Sequence, residues 1–169
     1  IITGGGTLNK ITSVSLSSEN SKTISGLLPG KRYKLVGQLL QNSNDASHQI
    51  RFNTDTGTRY NFANYAWSIS GATVRAAQGT NSIVLTDTAS SGYIRSSNEI
   101  YITLEFSAWL SNPSNIQVTG TTSYISSGNQ QQEGIVISGT YFGSSPLSNL
   151  TYFCSAGTMT GTITLYQLN

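Results

Sequence analysis

Ile100, Ile102, Leu104 and Phe106 alternate strictly with Tyr101, Thr103 and Glu105. Successive side chains of an extended chain point to opposite faces, so this run predicts a strand with one apolar and one polar side. Ile163 and Leu165 repeat the pattern against Thr162, Thr164 and Tyr166. Shorter period-two runs fall at Val14–Leu16, Tyr33–Leu39, Ile50–Phe52, Ile83–Leu85, Ile116–Val118 and Ile135–Ile137. Turn formers separate them, among them Pro29-Gly30, Asp55-Thr56-Gly57, Ser90-Ser91-Gly92, Ser111-Asn112-Pro113 and Gly143-Ser144-Ser145-Pro146. Gly supplies a positive φ, Pro presets a negative one, and Asn or Asp bonds its own backbone, so each cluster ends a strand. No helical periodicity competes. The pattern predicts an all-β chain, an antiparallel β-sandwich, with residues 10–169 as a single domain. Residues 1–9, with Gly4-Gly5-Gly6, read as a flexible segment or linker. Because the chain starts at Ile1, it is expected to be a processed product or the ordered part of something longer.

Charge is scarce. Nine Lys or Arg and seven Asp or Glu make 9% of the 169 residues, against about a quarter in an ordinary soluble domain. Ser, Thr, Asn and Gln occupy the polar sides of the strands instead. Uncharged hydroxyl and amide surfaces on strands suit an extracellular or particle-surface protein. The basic residues are scattered, with Lys31, Arg32 and Lys34 as their one cluster, read as a turn leading into a strand; nucleic acid is not an expected partner. No run approaches the roughly 18 apolar residues of a membrane span, so membrane insertion is not expected. Few Lys, Glu or Pro are available to guard sheet edges, which points to edges covered by oligomerisation, with a trimer favoured, or by long loops.

The same scarcity limits catalysis. A triad requires a base, and the single histidine, His48, follows the polar loop 42–47 and reads as a surface-loop residue with no nucleophile elbow nearby. Glycoside cleavage requires two opposed carboxylates. Asp45, Asp55 and Asp87 lie near turns, where capping accounts for them, and Glu99, Glu105 and Glu133 lie in or near strands. We therefore expect no enzyme activity and assign no catalytic residue, with a polysaccharide-degrading domain as the third-ranked alternative. Cys154, alone and inside the run Leu150–Cys154, reads as a small buried hydrophobe. One Cys and one His cannot make a zinc site. Asn53-Thr54-Asp55-Thr56 offers oxygens for calcium but matches no known loop, and Asx-turn chemistry explains it, so neither metal nor cofactor is expected.

Carbohydrate recognition is the ligand chemistry the composition best supports. Sugars are held by aromatic faces together with amide and hydroxyl groups, and charge is optional. Tyr60, Asn64, Tyr65 and Trp67 gather in one short stretch, and Tyr93 and Trp109 stand beside turns. These six are the candidate ligand-binding residues, Trp109 the stronger of the two tryptophans because of its loop position. Packing in a core or an interface is the competing role for each.

Two segments carry a family likeness. Thr23–Gly37, with Leu27, Pro29-Gly30 and Tyr33, followed by Arg51–Tyr60 with Asn53, Asp55 and Tyr60, resembles a strand–loop–turn pattern in virion proteins of tailed bacteriophages. The C-terminal stretch Gly161-Thr162-Ile163-Thr164-Leu165-Tyr166-Gln167-Leu168-Asn169 is similar to the closing strand of many such domains. The resemblance implies a jelly-roll-like sandwich on a tail fibre, head fibre or capsid-surface spike. It implies location on the virion surface, other virion proteins as partners, and a structural role that extends to the host surface, where a glycan is the candidate receptor. A carbohydrate-binding receptor-recognition module is the main alternative.

Overall fold

The computed structural model describes residues 8–43, 46–68, 71–86, 94–109, 112–127 and 130–169. Twelve strands run in chain order: β1 (Leu8–Glu19), β2 (Ser21–Ser25), β3 (Arg32–Gln41), β4 (His48–Phe52), β5 (Tyr60–Ser68), β6 (Gly71–Thr80), β7 (Ile83–Val84), β8 (Glu99–Ala108), β9 (Asn115–Ile125), β10 (Gln132–Phe142), β11 (Asn149–Cys154) and β12 (Met159–Leu168). Eight form one sheet in the order β1-β12-β3-β8-β9-β10-β5-β6, and four form a second in the order β2-β11-β4-β7. Every pairing is antiparallel. The protein is a jelly-roll-like antiparallel β-sandwich. β1 pairs from Leu8 against Leu168, so the sheet begins two residues inside the segment expected to be linker. Gly4–Gly6 lies outside the described residues.

Alternation decides which side chains enter the core. Leu35 and Leu39 of β3, Ile100 and Leu104 of β8, Ile116 and Val118 of β9, and Ile163 and Leu165 of β12 are all buried, facing the small sheet. An aromatic chain ties the layers together. Phe52 of β4 sits between Phe106 of β8 and Tyr141 of β10, at centroid separations of 5.4 and 5.9 Å. Tyr33 stacks on Phe106 and Tyr60 on Tyr141. The C-terminal strand β12 lies between β1 and β3, which pins an end otherwise prone to fray.

The residues singled out in the 23–37 and 51–60 segments have structural work. Leu27 is buried, and the Leu28 N–H donates to the Tyr33 hydroxyl at 2.7 Å. Asn53 and Thr54 both take left-handed φ of 54°, and the Asn53 amide clamps the 145–148 segment, donating to Ser145 and Pro146 carbonyls and accepting from the Ser148 N–H. Asp55 accepts from the Gly57 N–H and the Tyr141 hydroxyl and pairs with Arg59. Asp55 thus makes the expected Asx-turn, whereas the Asn53 amide bonds the distant 145–148 segment in place of its own backbone.

His48 corrects one expectation. It is no surface-loop residue: it is the first residue of β4 and fully buried. Gln41 uses its Nε2 to donate to Ala156 O and Ser43 Oγ, so its Oε1 faces the imidazole at 2.9 Å. The His48 Nε2 therefore carries the proton, and Nδ1 accepts from the Tyr152 hydroxyl. Cys154 is buried at the end of the neighbouring strand, and burial raises its thiol pKa.

Burial pushes the His48 pKa from 6.5 down to about 3. Below pH 6.5 the unfolded chain binds a proton that the folded chain refuses. Stability therefore drops as pH is lowered through this range, by up to ~1.4 kcal/mol per pH unit from this one residue. Asp55 acts elsewhere: chiefly through the Gly57 N–H, then Tyr141 and Arg59, its carboxyl is held below 3.8, and it withdraws stability only beneath that value. Urea unfolding between pH 6.5 and 3.8 should show the His48 slope in wild type and a flatter profile in His48→Gln. An unchanged slope in the variant would remove His48 as the cause.

Candidate functional site

The outer face of the eight-stranded sheet points away from the core, and its cross-strand register builds one row across four strands. Tyr101 of β8 pairs with Ser123 of β9, Ser123 with Gly134 of β10, and Gly134 with Trp67 of β5. Two aromatic residues thus flank two of the smallest. Tyr101 and Trp67 are 51% and 43% exposed. They stand three strand spacings apart, about 14 Å. Between them lies a trough of about 630 Å³, floored by Ser123 and by Thr103 and Thr121 of the next row. At the Tyr101 end it continues into a hollow of about 290 Å³ bordered by Asn98, Glu99 and Gln132.

Gly134 sets the shape of the trough. A Cβ at this position would collide with Cε2 and Cζ2 of Trp67 and stand 2.8 Å from Nε1. The indole therefore lies down over the bare glycine backbone, an aromatic covering a glycine across a strand pair. A standing indole would leave no shelf. Tyr101 is held from the opposite side: its hydroxyl bonds the Glu99 carboxylate, and the Gln38 amide donates to both, at 3.2 and 3.3 Å. The hydrogen bond to Glu99 raises the phenol pKa. The Gln132 amide reaches Ser123 Oγ at 3.4 Å. Tyr65, one row along, adjoins Trp67 with ring centroids 6.2 Å apart, and exposed Val74 and Val136 continue the apolar surface beside it.

The six residues proposed from sequence divide. Trp67 and Tyr65 alternate outward along β5 and are exposed, so packing in the core does not hold them. Tyr60 and Asn64 have the opposite parity, and here the expectation is corrected. Tyr60 is fully buried, its hydroxyl bonded to the Phe52 N–H and the Phe52 and Asp55 carbonyls. Asn64 is 2% exposed, and its amide donates to the Val84 carbonyl of the small sheet. Its Oδ1 is buried without a hydrogen-bond partner. Neither can face a ligand. Tyr93 lies outside the described residues. Trp109 is 39% exposed and packs edge-on against Phe142, with centroids 6.1 Å apart. Phe142 is eight residues along β10 from Gly134, about 27 Å away, so Trp109 does not join Trp67. Tyr101, Ser123 and Gly134 were not among the candidates. The polar side of the 100–106 alternation was the signal for Tyr101; no local signal marks Gly134.

Among the described residues two carboxylates come near the trough, on different faces. Glu99 is exposed in the adjoining hollow at the Tyr101 end, whereas Glu133 borders the trough but pairs with Tyr124 on the core-facing side of β10 and is 6% exposed. Among the described residues no cluster of His, Cys, Asp or Glu is arranged to hold a metal.

No protein-family model matches the chain, and no curated protein matches it. Among solved structures, galectin LEC-6 of Caenorhabditis elegans is 15% identical over 91% of this chain and 94% of its own, with a TM-score of 0.37. Tail fibre protein gp63.1 of an E. coli phage is 10% identical, covering 96% of this chain and 21% of the fibre chain, at 0.32. A mutant of alginate lyase Aly36B in complex with an alginate tetrasaccharide is 11% identical over 90% and 79%, at 0.28.

The contact between Gly134 and Trp67 is directly testable. In a Trp109→Phe background, Trp67 is the sole tryptophan. Gly134→Ala should then displace the indole rather than the backbone, because the clash is with the far end of a side chain, and shift its fluorescence to the red with little change in melting temperature. Identical emission spectra would show that Trp67 does not rest on Gly134.

Proposed function

We propose that this chain is a non-catalytic glycan-recognition domain, displayed as a homo-oligomer on the virion surface of a tailed bacteriophage. The observation that carries the recognition role is the row Tyr101–Ser123–Gly134–Trp67. Aromatic shelves take the apolar faces of sugar rings, and the hydroxyl and amide groups between them take the ring hydroxyls. The length of the trough suits an oligosaccharide better than a single ring. The carboxylate arrangement supports binding without cleavage. A glycosidase brackets the scissile bond between two carboxyl groups. Among the described residues Glu133 borders the trough with its side chain on the core-facing side of β10, and Glu99 lies in the adjoining hollow at the Tyr101 end, so the two do not face each other across it.

Display on a virion rests on the likeness of residues 23–37, 51–60 and 161–169 to phage virion proteins and on the charge-poor surface. The edge strand β6 supports self-association: it carries Arg75 as its one charge, and Val74 is 68% exposed beside Tyr65. β1, at the other edge, is blunted by two register irregularities and by Lys10 and Glu19. Light scattering on the purified chain should give a multiple of 18.0 kDa, the trimer being the preferred form; a monomer at high concentration would count against self-association.

Binding to host cells and to a glycan array tests the recognition role. Trp67→Ala should weaken binding about tenfold or more, ~1.4 kcal/mol, while Trp109→Ala leaves it unchanged. The reverse order of effects would move the site to the Trp109–Phe142 end, and no binding by wild type would refute the role.

A further inference from the structure

The chemistry of the trough selects among glycans. All nine basic residues lie among the described residues, and none lines it. Lys34 and Arg32, on the same face, sit two and three rows from the Tyr101 row and are drawn to Glu105 at 3.7 Å. The Arg95 guanidinium donates to Gln130. Arg59 is paired with Asp55, and Arg51 lies over the Phe153 ring of the small sheet. Lys22 is bonded to Glu19. Among the described residues the charged groups at the site are carboxylates: Glu99, exposed in the hollow at the Tyr101 end and fixed by Tyr101 and Gln38, and Glu133, which borders the trough from the core-facing side of β10.

We infer that the trough between Trp67 and Tyr101 binds uncharged oligosaccharides and rejects uronate, sialylated and sulfated ones. The inference rests on the glycan-recognition reading above and specifies its ligand class. A carboxylate accepts hydrogen bonds from sugar hydroxyls, and the Ser and Thr hydroxyls and the Gln132 amide serve as donors or acceptors. An acidic sugar in the same place loses water without gaining a counter-charge and meets Glu99 as a like charge. Discrimination of this kind comes from repulsion built against the wrong ligand as well as from attraction to the right one.

The test is a glycan array containing neutral, uronate, sialylated and sulfated members, probed with wild type, Trp67→Ala and Glu99→Gln. Glu99 is exposed, so its replacement by the isosteric amide leaves the fold intact. The inference expects wild-type binding confined to uncharged members, lost in Trp67→Ala, and acidic members gaining about tenfold in Glu99→Gln relative to neutral ones, a factor worth ~1.4 kcal/mol. Binding of acidic members as strong as neutral ones, abolished by Trp67→Ala, would overturn the selectivity and leave the recognition role standing. Unaltered discrimination in Glu99→Gln would remove Glu99 from the account. Absence of wild-type binding to every member would overturn both.

Discussion

Cross-strand register in β8, β9, β10 and β5 couples the core of this protein to its outer surface. A strand slipped by one residue exchanges its faces. The row Ile102–Thr122–Ile135–Ala66 is buried against the small sheet, and it adjoins the row Tyr101–Ser123–Gly134–Trp67 by one residue on each strand. Thr122 adds a directional constraint, its hydroxyl donating to the Leu85 carbonyl of the facing layer at 2.6 Å. Core burial thus fixes where the aromatic residues of the trough stand, and no loop has to be ordered to form it. A site on paired strands is more rigid than one on loops, and a rigid site loses less entropy when it binds.

Alternation made most of the fold legible. Apolar residues at every second position placed β3, β8, β9, β10 and β12, and the turn chemistry of Pro29-Gly30 marked the entry to β3 and that of Asp55–Gly57 the break between β4 and β5. β6 was not legible: Gly71–Thr80 is an edge strand exposed over most of its length, and without a buried face its sequence has no reason to alternate. His48 escaped for a different reason. A histidine in a polar stretch looks solvated until its partners are known, and Gln41 and Tyr152 reach it from strands 7 and 104 residues away in sequence.

The site was half legible. Parity along β5 separates Trp67 and Tyr65 from Tyr60 and Asn64, and the run 60–68 lacks the regular apolar spacing that would have revealed it. Gly134 has meaning only once β10 is registered against β5, since its role is to lack a side chain beneath an indole. The residues of the 23–37 and 51–60 segments singled out in the sequence, Leu27, Tyr33, Asn53, Asp55 and Tyr60, turn out to hold turns and strand ends together. They speak for the scaffold, whereas the proposed ligand contacts are the outward residues Trp67, Tyr101, Ser123 and Gly134. The scarcity of charge fits both parts, leaving a scaffold stabilised by packing and neutral hydrogen bonds and a trough without a basic side chain.

The central claim is that the row from Tyr101 to Trp67 is where this protein meets sugar. Titrating isotopically labelled protein with neutral oligosaccharides released from the host surface, and following amide and indole resonances, tests it most directly. The account predicts saturable shifts concentrated on the Trp67 indole N–H and the amides of Gly134, Ser123 and Tyr101. Shifts centred instead on Trp109 and Phe142, or none at saturating sugar, would contradict it.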